Sequence, residues 1–198
     1  MKEKKLVKEL VINIDMINGF VKEGPLAAPS IMRIVPYQKV LLDKFSNDPD
    51  KEIIFIRDEH TDDAVEFNTF APHCIKGSKE SELIDELKPY EDNSLTFTKN
   101  STNFMFAPGF IKNLKLYTGL KKIYLTGCLS EICVKNGGIT LRNYLDQENM
   151  NIEVYVVRDL IDTYDAPGHN NEEVTESAIK DMEANGIKVL KLGGILYE

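Results

Sequence analysis

Cys133 sits where a thiol can be turned into a nucleophile. The string Leu125-Thr126-Gly127-Cys128-Leu129-Ser130-Glu131-Ile132-Cys133-Val134 joins an apolar, strand-like run over 122–126 to a helical pattern. That pattern opens at Ser130 and continues to about Asn149. The spacing predicts Cys133 in the first helical turn. Backbone N–H groups are free there and the helix dipole is positive, which favours a thiolate over a thiol. A strand–turn–helix that holds a cysteine in this way is a good frame for covalent catalysis. The competing reading of any single free cysteine is a small, buried apolar side chain.

Other strand-like runs end in residues useful to such a cysteine. The run 10–14 ends at Asp15 and the run 53–57 ends at Asp58, with His60 two residues on. The run 95–98 ends at Lys99 and the run 154–158 at Asp159. If the runs are parallel strands, their ends gather at one edge of a sheet, where open α/β folds bind ligands. Asp15, Lys99 and Cys133 then form a possible catalytic set. Asp58, His60, Glu66 and His73 form a second group. An aspartate and a histidine two apart at a strand end can reach one ion, and a second histidine completes an oxygen–nitrogen–nitrogen donor set. The spacing alone is a weak signal that a surface loop explains more often than a metal.

The elements that must position these residues follow from periodicity and turn chemistry. Strands are predicted over 9–15, 52–57, 95–98, 122–126, 152–157 and 187–190. Helices are predicted over 30–46, 79–88, 107–118, 131–148 and 171–185. Ser30 is the expected N-cap of the first helix, with Pro36 disturbing its early turns. The stretch 58–78 reads as a long functional loop. Alternating strands and helices imply an α/β fold, a doubly wound, mostly parallel six-stranded sheet with helices on both faces. No repeat, low-complexity tract or linker divides the chain, so residues 1–198 are expected to form one domain.

Composition narrows the function. The chain has 198 residues and a net charge of -8, with 42% hydrophobic and 28% charged residues. An acidic balance argues against nucleic acid or an anionic membrane as partner. The apolar runs are too short to span a bilayer, and the basic N-terminus lacks the apolar core of a signal peptide. Three cysteines, an odd number, predict a reducing cytoplasm and thiols used as thiols. Cys74 and Cys128 are expected to be structural and His169 to be a surface residue. Asp159 is expected to make a loop hydrogen bond.

The strings Ile14-Asp15-Met16-Ile17-Asn18-Gly19-Phe20, Phe97-Thr98-Lys99 and Gly127-Cys128-Leu129-Ser130-Glu131-Ile132-Cys133-Val134 together resemble the isochorismatase-like cysteine hydrolases, which include nicotinamidases. The resemblance covers nearly the whole chain in order and spacing. Ser-Glu-x-Cys-Val after a glycine is its most specific part. The chain departs from the family pattern at Ile17, where glutamine is common, and at Gly19, where aspartate is common. Neither position carries the chemistry.

The resemblance implies a three-layer, Rossmann-like fold and an amidohydrolase working through a thioester. Asp15 is the implied proton carrier and Cys133 the nucleophile. Lys99 would hold the carboxylate and lower the cysteine pKa below its free value of about 8.5. The implied oxyanion donors are the backbone N–H groups of Leu129 and Cys133, beside a cis peptide at Cys128–Leu129. The string Pro72-His73-Cys74-Ile75-Lys76-Gly77 resembles the nicotinamidase metal region. It implies Asp58, His60 and His73 as ligands of one divalent ion, zinc first, with manganese or iron as alternatives. Glu66 binds that ion directly, binds it through water, or faces solvent. Phe20 and Phe70 match positions that flank a pyridine ring, and Phe106 or Phe104 would add a wall.

Nicotinamide is the leading substrate implied. Alternatives are a carbamoyl or ureido amide, isochorismate, or no substrate at all in a non-catalytic homologue. The expected partners are a small-molecule amide and further copies of the chain as a homo-oligomer.

Overall fold

The structure, a computed structural model, describes residues 4–197. Short strands β1 (Lys5–Leu6) and β5 (Tyr117–Thr118) pair in parallel apart from the main sheet. The main sheet comprises β2 (Glu9–Ile14), β3 (Lys51–Asp58), β4 (Leu95–Lys99), β6 (Lys122–Gly127), β7 (Glu153–Ile161) and β8 (Lys188–Leu190). Its order is β4-β3-β2-β6-β7-β8, and every pairing is parallel. The chain first builds outward from β2 to β4, then restarts at β6 on the other side of β2. The switch point therefore lies between β2 and β6, where open parallel sheets form their ligand crevice.

The helices are α1 (Asn18–Val21), α2 (Val35–Ser46), α3 (Phe110–Leu114), α4 (Lys135–Gln147), α5 (Asn171–Ala184) and α6 (Leu192–Leu196). Strand residues alternate between two apolar layers, as a period of two requires. Leu10, Ile12 and Ile14 pack with Leu141 and Leu145 of α4 and with Ile179 and Met182 of α5. Val11, Ile53, Phe55 and Tyr124 pack with Leu41, Leu42 and Phe45 of α2 and with Leu192 and Ile195 of α6. Burial on both faces explains why the strands read as continuous apolar runs.

Four local expectations differ from the fold. The first long helix begins at Val35 and not at Ser30, after a 3-10 segment over Pro29–Ile34. Pro36 has no N–H to give to a helix begun earlier, and it is tolerated in the first turn. Residues 79–88 hold a 3-10 turn, Lys79–Ser81, rather than a helix. An antiparallel bridge between Ile17 and Leu83 pins that segment, as do hydrogen bonds from Asn18 N to Glu82 O and from Ile84 N to Met16 O. The helix expected over 107–118 is only Phe110–Leu114, because the chain turns into β5. Strand β7 runs on to Ile161, after a register shift opposite Leu125–Gly127.

Gly127 ends β6 with φ of +112°. A Cβ there would lie 2.0 Å from the Ile14 carbonyl oxygen. The glycine lets β6 close against β2 at the switch point. We predict that Gly127→Ala destabilises the protein by roughly 3 kcal/mol or more, from the sum of a left-handed side chain and a backbone overlap. Urea unfolding checks this, and an unchanged midpoint would contradict it.

Candidate active site

The strand ends meet as the topology requires. The β3–β4 register places Asp58 beside Lys99, and the β2–β6 register places Ile14, just before Asp15, beside Gly127. Asp15 turns out of β2 at φ of 54°, with its N–H donating to Ile56 O at 2.9 Å. Such a φ is uncommon outside glycine, though aspartate adopts it more readily than most residues. The Cys128–Leu129 peptide is cis. Beyond it, Ser130–Val134 forms a wide π-type turn in which Val134 N donates to Leu129 O at 3.2 Å. Cys133 is therefore carried on a π turn ahead of α4, not in the first α-helical turn.

At the centre is Lys99, fully buried. Its Nζ lies 2.5 Å from Asp58 Oδ1, 2.8 Å from Asp15 Oδ2 and 3.6 Å from Cys133 Sγ. The Asp15 contact has ion-pair distance but lies off the hydrogen-bonding direction, so the Asp15 oxygens remain without a well-aligned partner. One ammonium thus serves two carboxylates. Burial pushes Asp15 up to about 7, against the pull of the Lys99 charge and with the Asp58 charge adding to the rise. Burial acts on Asp58 too, but Lys99 and the two histidines outweigh it and hold Asp58 well below the usual carboxylate range. Burial opposes the Lys99 charge, yet Asp15, Asp58 and Cys133 raise it well above the ordinary lysine value.

The thiol behaves differently from expectation. Cys133 is only 4% exposed, and burial pushes it well above the ordinary thiol value, Lys99 notwithstanding. The nearby Asp15 and Asp58 charges add to the rise. The lowered cysteine pKa expected from helix position and Lys99 is corrected: desolvation and two carboxylates outweigh one cation. The resting site is thus a thiol beside a carboxylate that titrates near neutrality. A carboxylate of that kind is able to accept the proton of a neighbouring thiol.

Asp58 belongs to both groups. Its Oδ2 lies 3.6 Å from His60 Nε2 and 3.8 Å from His73 Nε2, and Glu66 Oε1 lies 4.0 Å from His60 Nε2. One donor atom from each of Asp58, His60, Glu66 and His73 lies within 4.8 Å of all the others. His60 Nδ1 is 2.9 Å from Asn100 Oδ1, and His73 Nδ1 is 2.8 Å from the Ala71 carbonyl. With Nδ1 carrying the proton, each Nε2 lone pair points into the cluster. His60 Nε2 is buried with no hydrogen-bond partner. Tetrahedral ligands about 2.1 Å from one ion lie about 3.4 Å apart, close to these separations. A parallel bridge sets the two histidines relative to each other: His60 N donates to Cys74 O and Lys76 N to His60 O.

A small pocket opens onto both groups. It is lined by Asp58, Glu66, His73 and Cys133 and by the apolar Phe20, Leu26, Phe70, Leu129 and Ile132, with Thr102 beside them. Phe20 and Phe70 both line this pocket. Phe106 does not: it is 71% exposed and lines a separate surface groove with Asn103 and Ile139. Phe104 is fully buried against Phe110. The second half of the Phe104–Phe106 turn faces outward, so no third aromatic wall comes from it. Phe67 packs on both histidine rings, at 5.3 Å and 5.7 Å between centroids. Neither it nor Asn100 carries a signal in the sequence, since each acts only through a histidine that the fold brings to it. Cys74 and Cys128 are buried, and burial pushes both thiols up. Asp159 accepts the Leu192 N–H at 3.1 Å, a loop hydrogen bond. His169 is half-buried against Glu131 and is not a free surface residue.

Comparisons with known proteins bear on the fold and the family. An isochorismatase-like hydrolase from Alkaliphilus metalliredigens superposes with a TM-score of 0.77 at 24% identity, covering 96% of this chain and 98% of that one. The pyrazinamidase of Pyrococcus horikoshii in complex with zinc gives 0.74 at 24% identity, covering 93% and 99%. The N-carbamoylsarcosine amidase from Thermoplasma acidophilum gives 0.74 at 22% identity, covering 94% and 97%. No curated protein sequence matches the chain. At these identities the superpositions speak for the fold. The isochorismatase domain family itself matches residues 9–192, nearly the full length. The chain belongs to the isochorismatase family of hydrolases.

Proposed function

We propose that the protein is a metal-dependent amidohydrolase that converts nicotinamide to nicotinate and ammonia through a thioester on Cys133. The observation that carries the reading is the shared pocket. The buried Cys133 thiol and three members of the two-histidine, two-carboxylate cluster, Asp58, Glu66 and His73, border one small apolar space. Its lining contains no arginine or lysine, and Lys99 is fully engaged by Asp15 and Asp58. An anionic substrate, such as isochorismate or a carbamoyl amino acid, meets no cationic side chain among the described residues of that lining. A neutral flat amide has Phe20 and Phe70 to lie against.

Asp15 takes the Cys133 proton, and the thiolate attacks the carboxamide carbon. Lys99 holds Asp15 and steadies the charge on sulfur. The N–H groups of Leu129 and Cys133 receive the developing oxyanion, where one such donor supplies about 2.7–4 kcal/mol. The proton on Asp15 then passes to the departing nitrogen, the C–N bond breaks and ammonia leaves. Asp15, again a base, takes a proton from water as it attacks the thioester, and nicotinate departs with Cys133 restored. Asp58, His60 and His73 would hold one divalent ion, with Glu66 beside it as a further or water-mediated ligand. The two imidazoles favour zinc, with manganese or iron as alternatives. When bound, the ion supplies a Lewis-acid anchor for the ring nitrogen of the substrate. The orphaned His60 Nε2 is the feature of the chain that fits such an ion best.

Ammonia release from nicotinamide, pyrazinamide and N-carbamoyl amino acids tests the substrate class. Turnover of the two ring amides, with little of the carbamoyl compounds, is expected; the reverse order would overturn the reading. Cys133→Ala should lower turnover by more than about a thousandfold with unfolding little changed, while Cys74→Ala and Cys128→Ala remain active.

The base sets the pH response. Asp15 works only when ionised, and burial holds it near 7. kcat/KM should therefore climb about tenfold per pH unit below that value and level off above it. A profile flat between pH 5 and 8 would contradict Asp15 as the base.

His60→Ala should lose bound metal by elemental analysis. It should lower kcat/KM for nicotinamide by more than about a hundredfold while keeping a cooperative unfolding transition. Wild-type turnover that survives complete metal removal would return the substrate choice to metal-free amidases.

A further inference from the structure

The turn that carries Cys133 is fastened from outside the site by a loop that the chemistry above does not use. Strand β7 runs on past the sheet into residues 162–169. Asp162 N donates to Gly127 O at 3.2 Å, and Ser130 N donates to Asp162 O at 3.0 Å. Arg33 grips the Asp162 carboxylate with two bonds of 2.7 Å. Ser130 Oγ lies 2.8 Å from Thr175 Oγ1 of α5. The Glu131 carboxylate points into this loop rather than into the pocket. It accepts from Thr163 Oγ1 at 2.9 Å and lies 3.2 Å from His169 Nε2. The side chains of His169 and Glu131 are only 21% and 16% exposed.

His169 is unusually well fixed for a loop histidine. Its ring stacks on Tyr164 at 3.8 Å with 6° between planes. Its Nδ1 lies 3.1 Å from the Tyr164 carbonyl, and its backbone bridges Ala166 in both directions. The two ring nitrogens face a carbonyl and a carboxylate, Nδ1 toward Tyr164 and Nε2 toward Glu131. The two nitrogens thus hold different things. Nδ1 closes the loop on itself, and Nε2 ties the loop to Glu131.

We propose that Glu131 and His169 are positioning residues for Cys133. Their contact holds the Ser130–Val134 turn so that Sγ stays within reach of Asp15 and Lys99. The inference rests on reading Cys133 as the nucleophile but not on the substrate being nicotinamide. Glu131 is two residues from Cys133 in the same turn, so a shift of its anchor is transmitted directly to the sulfur. Displacements well under 1 Å at a nucleophile are enough to slow attack.

The two ring nitrogens allow a test that separates positioning from general structure. Glutamine places its amide N–H near the position of Nε2, whereas asparagine places its own near Nδ1. The probe is p-nitrophenyl acetate, which transfers its acetyl group to a thiolate and releases p-nitrophenolate. The burst rate is followed for wild type, His169→Gln and His169→Asn, with the acetylated peptide located by mass spectrometry and thermal midpoints recorded alongside. His169→Gln should acylate Cys133 within about twofold of wild type, and His169→Asn about tenfold more slowly, at equal thermal midpoints and unchanged KM. Equal burst rates for the two variants, or rates that simply follow the thermal midpoints, would overturn the positioning role. A wild type whose Cys133 takes no acetyl group would overturn the nucleophile reading, and this inference with it. Absence of nicotinamide turnover with acylation intact would leave this inference standing and overturn only the substrate.

Discussion

A single buried ammonium holds the site together. Lys99 lies between Asp15 and Asp58, with the Cys133 sulfur alongside, and none of these groups has appreciable access to water. Removing one partner from such a buried pair typically costs about 3–5 kcal/mol, because the remaining charge is left uncompensated. The arrangement also couples the two halves of the site. Asp58 gives one oxygen to Lys99 and turns the other toward His60 and His73. A change in the metal-ligand cluster therefore changes the charge felt by Lys99, and through it by Asp15 and the thiol. With one cation for two carboxylates, Asp15 is the group left near neutrality, which is what a proton carrier requires.

The candidate catalytic residues are legible in the sequence because each of the charged ones ends a strand and the cysteine lies in the turn that leads from another strand into a helix. A parallel sheet puts all its strand ends of one polarity on one edge, so Asp15, Asp58 and Lys99 must converge once the strands are recognised. The candidate metal-ligand cluster is half legible. Asp58 and His60 are tied by the β3 end, but His73 reaches them only because the bridge between His60 and Ile75 folds the long loop back. No periodicity encodes that bridge.

What the sequence hides falls into three physical kinds. The resting thiol is misjudged from sequence because burial, not helix position, dominates its titration, and burial is a tertiary property. Phe106 is misplaced because a 3-10 turn sends neighbouring aromatic residues in opposite directions. The segment 79–88 is misjudged because pairing with Ile17 overrides local helix preference. Glu131 and His169 are far apart in the sequence, and only the extension of β7 past the sheet brings them together.

The proposed mechanism requires a covalent intermediate at Cys133. The most direct test is rapid acid quenching of wild-type protein during turnover of nicotinamide, followed by peptide mass spectrometry. A nicotinoyl group carried by the peptide containing Cys133, appearing and decaying at rates consistent with turnover, is the predicted result. Ammonia release with no such adduct, or an adduct on Cys74 or Cys128 instead, would contradict it.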